Sequence, residues 1–285
     1  MSPEKILERE RARAVPTAIA TFGGIALLIA AIAVAQGGLS GDSTSEILRD
    51  FPDDRGSLLA SALLQAAGMV LLVAPLYYLF EAASARSETM RHALIGITIA
   101  GPVFLAAAFV LQWFAYDAAA SDFMPGGVSD IEDYADDLLS DQVAFDAFQG
   151  LTFAGTLGLV VGVVYTSLHA MRVGLLTRFW GSLGMALGVS VLFLGMLGLL
   201  IFFVALGMLI AGLWPGDRPP AWEEGRAVPW LAPGAEHERE ADDADSPADP
   251  DEFAATIEGS GTEVAEEPEG EGPTAETPRK RKRRR

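Results

Sequence analysis

The strongest constraint on this fold is a series of long apolar runs without a charged residue in their central parts. The runs cover about 16–37, 57–80, 93–116 and 148–170, followed by the uncharged stretch Phe179–Trp214. A helix needs roughly 20 mostly apolar residues to cross about 30 Å of hydrocarbon. In lipid, its backbone polar groups must also pair within the segment. The sequence therefore predicts an all-α fold, a polytopic helical membrane bundle, within a transmembrane helical domain at 16–214.

The stretch Phe179–Trp214 is too long for one ordinary span. As a single helix, its 36 residues would reach about 54 Å. Two helices of about 17 residues, 179–195 and 198–214, are just long enough to cross the bilayer. Gly195 and Gly198 lie where a tight turn needs glycine. We therefore expect six transmembrane helices, with five as the alternative.

The charges of the short loops predict the orientation. Residues 1–15 are rich in basic residues, and Ala85–His92 and His169–Arg178 each carry two arginines. Residues 121–146 carry many carboxylates and no lysine or arginine. The positive-inside rule then places the N-terminus in the cytoplasm of a multi-pass plasma-membrane protein. Two crossings by the last apolar stretch return the C-terminus to the same side.

A cleaved signal peptide is the alternative interpretation of the first run. The basic start fits it, and Ala33 with Ala35 resembles a cleavage site. The leader, however, is long and contains Glu4, Glu8 and Glu10, and the apolar run is long for a signal core. These features favour a retained first helix.

Two predicted helices carry glycines at a spacing of three and then four residues, which places each set on one helix face. The six predicted helix-packing residues are Gly155, Gly158, Gly162, Gly181, Gly184 and Gly188. Small residues let helix backbones approach closely in lipid. One interpretation is a face for self-association or sliding. The other is ordinary packing of the fourth helix against the fifth, which their short connection favours.

Polar side chains are scarce inside the predicted spans. No Asp, Glu, Lys, Arg or His lies centrally in any of them. Pumps and ion-coupled transporters usually place such a group on their pathway, so this class is disfavoured. A route for a neutral solute past Gln65, Pro75 and Pro102 stays open as an alternative.

The acidic loop predicts a short helix, with Ser129 and Glu132 as a capping box. Four aspartates share one face of this helix: Asp130, Asp133, Asp137 and Asp141. Clustered carboxylates can hold a divalent cation, but the twelve-residue calcium-loop pattern is missing. We interpret the segment as a solvated helix on the membrane surface.

A second candidate metal site combines His92 and His169 with Glu81 or Glu88. A catalytic zinc ion needs three protein ligands, and no ligand spacing is recognisable here. The chain has no cysteine, and it contains no nucleotide-binding loop or nucleophile motif. We therefore predict no metal, no cofactor and no enzymatic activity.

After the last span, residues 215–234 form a Pro/Trp-rich juxtamembrane segment in which Trp222 and Trp230 are expected at the headgroup level. Residues 235–285 are predicted to be a disordered acidic tail, since they have too little apolar surface to fold. The tail ends in a basic cluster: Arg279, Lys280, Arg281, Lys282, Arg283, Arg284 and Arg285. Three interpretations of this cluster are open. It is expected to fold back on the acidic tail, to contact anionic lipid, or to bind nucleic acid or the ribosome. No specific nucleic acid is predicted.

The stretches GLLTRFWGSLGMALGV and GDRPPAWEEGRAVPW, within residues 174–230, resemble elements of a bacterial, actinobacterial-type family of multi-pass membrane proteins without assigned function. The resemblance implies a helical membrane bundle and no particular activity. Together with the residue patterns, it leads us to expect a non-enzymatic membrane scaffold or accessory subunit. The alternative is a small transporter or permease for a neutral or weakly polar solute.

Overall fold

The computed structural model describes residues 2–35, 43–87, 89–126, 128–214 and 218–230. Every regular element within these ranges is helical, which confirms the predicted all-α class. The helices are α1 (Pro3–Val34), α2 (Thr44–Ser84), α3 (Ile95–Asp122), α4 (Ile131–Ser140), α5 (Val143–Arg172), α6 (Arg178–Leu194), α7 (Leu197–Ala211) and α8 (Ala221–Glu224), with a 3₁₀ turn at His92–Leu94 before α3. Four of them (α1, α2, α3 and α5) are long and apolar enough to cross a membrane. The apolar helices α6 and α7 are shorter.

The long helices extend beyond the predicted spans. Helix α2 has 41 residues, which corresponds to roughly 60 Å, whereas its predicted span is 57–80. Its first turn is capped by Ser43, whose side chain accepts a hydrogen bond from the backbone N–H of Glu46. The added N-terminal part buries Leu48 and Phe51, so it belongs to the packed bundle.

The ends of the helices gather in two groups. Near one end, Arg9 of α1 pairs with Glu81 of α2, and Trp222 of α8 bonds to the Leu175 carbonyl between α5 and α6. We call this the α8 end. The other group contains the start of α2, the end of α3, and α4, which are in mutual contact; we call it the α4 end.

Helices α6 and α7 form an antiparallel hairpin, as the length of Phe179–Trp214 predicted. Gly195 ends α6 with a φ of +69°, a conformation that favours glycine. At the open end of the hairpin, the rings of Trp180 and Trp214 lie 5.2 Å apart. The chain therefore returns to the α8 end after α7.

Close backbone approach joins the long helices in pairs. A methyl group at Gly101 of α3 would lie 2.4 Å from the backbone nitrogen of Leu159 of α5. Between α1 and α2, a methyl group at Gly24 would lie 3.0 Å from the carbonyl oxygen of Gly68. Such approaches increase dispersion contact in a medium without a hydrophobic driving force between helices.

The first predicted glycine set packs against the preceding long helix rather than the following one. Gly155, Gly158 and Gly162 of α5 lie against Leu105, Gly101 and Thr98 of α3, respectively. The expected partner, the helix after the short connection, was therefore wrong for this set. Glycine spacing identifies a packing face, but it does not identify which neighbour occupies that face.

The second set packs against the preceding helix and the hairpin partner. Gly181 and Gly188 lie against Met171 and Val163 of α5, while Gly184 is closed in by Ser167 of α5 and Phe202 of α7. Both glycine faces are thus occupied within the chain. They are not free to form a contact with a second copy.

Candidate functional site

A buried ion pair lies at the centre of the α8 end. The Arg86 side chain follows the last turn of α2 and is 0% exposed, and its partner Glu10 of α1 is 11% exposed. The Arg86 guanidinium also donates to the carbonyl of Ala82 at 2.9 Å and to that of Ala221 at 3.0 and 3.2 Å. A buried charge is tolerated when it is paired and its donors are satisfied. This group therefore fixes α1, α2 and α8 together.

Trp222 fills the space beside this pair. Its ring stacks on Tyr78 at 5.9 Å and 10°, and the Arg218 guanidinium lies 5.3 Å from its centre. Its indole N–H donates to the Leu175 carbonyl at 2.8 Å. At 6% exposure, Trp222 is part of the core, so its ring packs inside the bundle and does not face the lipid, while its depth relative to the headgroups stays a prediction. The backbone N–H groups of Trp222 and Glu223 donate to the Pro219 and Pro220 carbonyls at 3.0 Å, so the chain turns here and α8 packs onto the bundle.

The segment after α8 is also attached by hydrogen bonds. The Val228 N–H donates to the Val173 carbonyl at 3.0 Å, and the Trp230 indole N–H donates to the Leu176 carbonyl at 2.9 Å. Gly174 makes this approach possible, since its φ is +79° and a methyl group there would lie 2.0 Å from the Val228 oxygen. Residues 218–230, apart from exposed side chains at the edge, thus close the α8 end.

Glu81 lies at the edge of the same end and pairs with Arg9 at 2.6 Å and with Arg13. Both arginines are about half exposed, so each pair contributes less than the buried one. The expected neighbourhood of Glu81 with His92 and His169 is not formed. Its carboxylate is instead part of the α1–α2 contact.

The two histidines have different surroundings. His169 is buried, and its ring lies 4.4 Å from that of Tyr165, whereas His92 is exposed. Within the part of the chain that the structure describes, no group of three metal-ligating side chains is found. Glu88 lies outside the described residues.

The acidic loop forms helix α4 with a different cap from the predicted one. Asp130, rather than Ser129, caps α4 by accepting from the backbone N–H groups of Glu132 and Asp133 at 3.2 and 3.3 Å. Glu132 points to the start of α2, where it accepts from the N–H groups of Thr44 and Ser45 at 2.7 and 3.1 Å. A carboxylate is stabilised at a helix N-terminus, so Glu132 connects α4 to α2.

The bonds around Glu132 favour its charged form. A hydrogen bond from the Ser45 side chain, together with the backbone N–H groups of Ser45 and Thr44, lowers the pKa of Glu132 from its ordinary value. Asp133 and Asp137 are exposed, and the acidic face of α4 contributes to no three-ligand group among the residues with described positions.

The polar residues of the predicted solute route are largely engaged in helix contacts. The Gln65 amide donates to Ser61 at 3.2 Å, and Ser61 donates to the Ala31 carbonyl of α1 at 2.9 Å. A small cleft of about 20 Å³ is lined by Gln65, Gln112 and aromatic side chains near the α4 end. The residues that line it do not include Pro75 or Pro102.

The basic cluster Arg279–Arg285 and the acidic tail lie outside the described residues, as do residues 231–234. The predictions for these segments stay predictions. Trp230, which is bonded to the Leu176 carbonyl, is the last described residue.

Sequence reasoning missed the contact between Glu10, Arg86 and Trp222. Glu10 was noted only as unusual in a basic leader. An acidic residue there, and an arginine in the short loop after a predicted span, were the available signal for an interhelical pair. The distance of 76 residues between the two partners hid it.

Comparison with protein-family models, curated proteins and solved structures finds no match. The resemblance of residues 174–230 to an actinobacterial-type family thus stays a prediction.

Proposed function

We propose that this chain is a six-span protein of the plasma membrane, with both termini in the cytoplasm, that acts as a non-enzymatic scaffold or accessory subunit. In this proposal the bundle is an anchor. The segment 231–285 is the part that reaches partners or the membrane surface, including anionic lipid through its basic end.

The closed α8 end carries the proposal. Trp222 is buried, and Val228 and Trp230 are bonded to the α5–α6 connection. A scaffold benefits from such an arrangement, because the following segment then starts at a fixed place and orientation.

The arrangement of the helix ends supports six spans. The arginine-containing connections after α2 and after α5 both meet at the α8 end, as do the basic start of α1 and the segment after α7. The acidic helix α4 lies at the opposite end against α2 and α3. The positive-inside rule makes the α8 end cytoplasmic, and the hairpin α6–α7 supplies the fifth and sixth crossings.

One observation favours the transporter alternative. The cleft beside Gln65 and Gln112 lies near the α4 end, where it would hold a small neutral solute. Its small volume and the hydrogen bond of Gln65 to Ser61 favour a role in packing.

Two measurements test the proposal. Reporter fusions after Arg285 and after Ser121 are expected on opposite sides of the membrane; the same side would contradict six spans. Crosslinking in the source cells, from a photoreactive residue placed at the exposed Ala227, is expected to give a discrete partner that disappears when 235–285 is deleted.

Flux through proteoliposomes separates the two functions. We expect no solute-selective flux above that of empty vesicles for a panel of neutral solutes. Flux of one solute that is abolished by Gln65→Leu, with unchanged folding, would contradict the scaffold and establish the alternative. Gln149→Leu on α5, outside the cleft, is the matched control.

A further inference from the structure

A cleft at the α8 end carries positive charge, as a binding site for an anion would. It has a volume of about 400 Å³ and is lined by Met171, Arg172, Arg178, Ser182, Pro229 and Trp230. Among the described side chains that line it, two are cationic and none is anionic. The arginines come from the last residue of α5 and the first residue of α6, so the chain reversal between these helices brings both charges to one cleft.

The wall of the cleft is fixed by bonds from both directions. The Trp230 indole N–H is engaged by the Leu176 carbonyl at 2.9 Å, and the Trp230 carbonyl accepts from Arg178 at 3.0 Å. The indole ring therefore lines the cleft as an apolar surface. Arg172 is exposed and forms no salt bridge with a described residue.

An apolar surface continues from the cleft along α6. Ser182, Ala186, Val189 and Phe193 are all exposed, and their spacing of four, seven and eleven residues places them on one helix face. Phe193 is 80% exposed. A ligand with an anionic head and a long apolar tail fits this combination, with the head between the arginines and the tail along the stripe.

We propose that this cleft binds the phosphate of an anionic phospholipid, with its acyl chains along the exposed stripe of α6. Guanidinium groups match phosphate oxygens through paired N–H donors, and the membrane interface supplies phosphodiesters at high local concentration. The site is separate from the basic cluster Arg279–Arg285. The inference rests on the proposed embedding of α6 in the membrane, and it is independent of the proposed scaffold role.

Lipid titration of the detergent-solubilised full-length chain, read by native mass spectrometry, tests the site. We expect one phosphatidylglycerol to bind in preference to phosphatidylcholine. Arg172→Gln is expected to weaken phosphatidylglycerol roughly fivefold, and Arg172→Gln with Arg178→Gln roughly 25-fold. Arg172→Lys should retain most of the affinity, because it keeps the charge.

Arg91→Gln is the matched control. It removes the same charge from an exposed arginine at the α8 end, outside the residues that line the cleft, and is expected to leave affinity unchanged. The variants are repeated with the seven basic tail residues changed to glutamine, since that cluster is a second contact for anionic lipid. The loss caused by the Arg172 and Arg178 changes should persist in this background.

Three results would overturn the proposal. The first is that Arg172→Gln, which removes no described hydrogen bond, binds phosphatidylglycerol as tightly as the unaltered chain. The second is that Arg91→Gln weakens phosphatidylglycerol binding as much as Arg172→Gln does, which would indicate a general attraction of anionic lipid to the basic surface. The third is that inorganic phosphate or glycerol phosphate at millimolar concentration displaces the lipid completely, which would indicate that the cleft binds a soluble phosphate. Helix content by circular dichroism checks that each variant is folded.

Discussion

At the α8 end, the polar contacts of Arg86 and Trp222 are buried and join three helices. At the α4 end, the described ion pair and carboxylate bonds lie nearer the surface, beside a buried apolar cluster. Arg55 pairs with Asp117 at 2.6 Å while 60% exposed, and Glu132 accepts from two N–H groups at the start of α2. A buried charge that loses its partner is costly, whereas an exposed pair is replaced by water. The α8 end is therefore expected to form or open as a unit, and the α4 end to tolerate the loss of single contacts.

Arg86→Met should have the largest effect. It leaves Glu10 buried without its partner, and we expect a loss of about 3–5 kcal/mol in the free energy of unfolding. The measurement is denaturant unfolding in detergent micelles, followed by tryptophan fluorescence. Arg55→Met at the α4 end is the matched control, with an expected loss below about 1 kcal/mol.

The pair Glu10→Gln with Arg86→Met is expected to regain much of that stability, because it removes the unpaired charge. Equal losses for Arg86→Met and Arg55→Met would show that the two ends do not differ in the proposed way.

Trp222→Ala should cost about 3 kcal/mol, the usual loss for a large buried aromatic side chain. It also removes the stacking partner of Tyr78 and Arg218. Limited proteolysis is expected to cleave within 218–230 faster than in the unaltered chain. Trp113→Ala, at the more exposed α4 end, is the comparison; faster cleavage at 218–230 in that variant would argue against a local effect.

Gly174→Ala should cost about 2 kcal/mol through overpacking. The new methyl group would collide with the Val228 carbonyl, and the positive φ would be strained. Hydrogen exchange is expected to rise at Val228. Gly126→Ala, in open space near the α4 end, serves as the control; a comparable rise at Val228 in this variant would contradict the prediction.

Protonation of Glu132 should produce the smallest effect, at the contact between α4 and α2. The pKa of Glu132 is lower in the folded state, so the unfolded state binds more protons near its ordinary pKa. The contribution is thus fully present above that value and is lost as the pH falls through the folded pKa. Hydrogen exchange of Thr44 and Ser45 is expected to rise on acidification in the unaltered chain and to be pH-independent, after correction for intrinsic exchange, in Glu132→Gln. Identical pH profiles for both proteins would reject this assignment.

Local patterns predicted the helices and the reversal near Gly195 because both depend on residues close in sequence. The number of consecutive apolar residues determines whether a helix can cross the lipid, and glycine at a positive φ permits the turn. The predicted alternation of basic and acidic loops agrees with how the helix ends gather, although the membrane orientation itself stays a prediction.

The contacts of the α8 end were beyond local patterns. Trp222 beside prolines and acidic residues resembles an interfacial tryptophan, and only the packed positions of Tyr78 and Arg218 reveal it as a core residue. The partner of Gly155 could not be predicted either, because a glycine stripe is compatible with any neighbouring helix. The cap of α4 also depends on a distant contact. Glu132, which the predicted capping box paired with Ser129, instead accepts hydrogen bonds from the start of α2, and Asp130 is the cap.

The shortness of the α6–α7 hairpin has a consequence for the surrounding bilayer. Its helices have 17 and 15 residues, or roughly 25 and 22 Å, against a hydrocarbon thickness of about 30 Å. In the six-span arrangement, lipid beside the hairpin must thin to meet it, while lipid beside the longer α1 has no such demand. The protein would then impose a gradient of membrane thickness around its perimeter, and it would favour membranes that are thin or easily compressed.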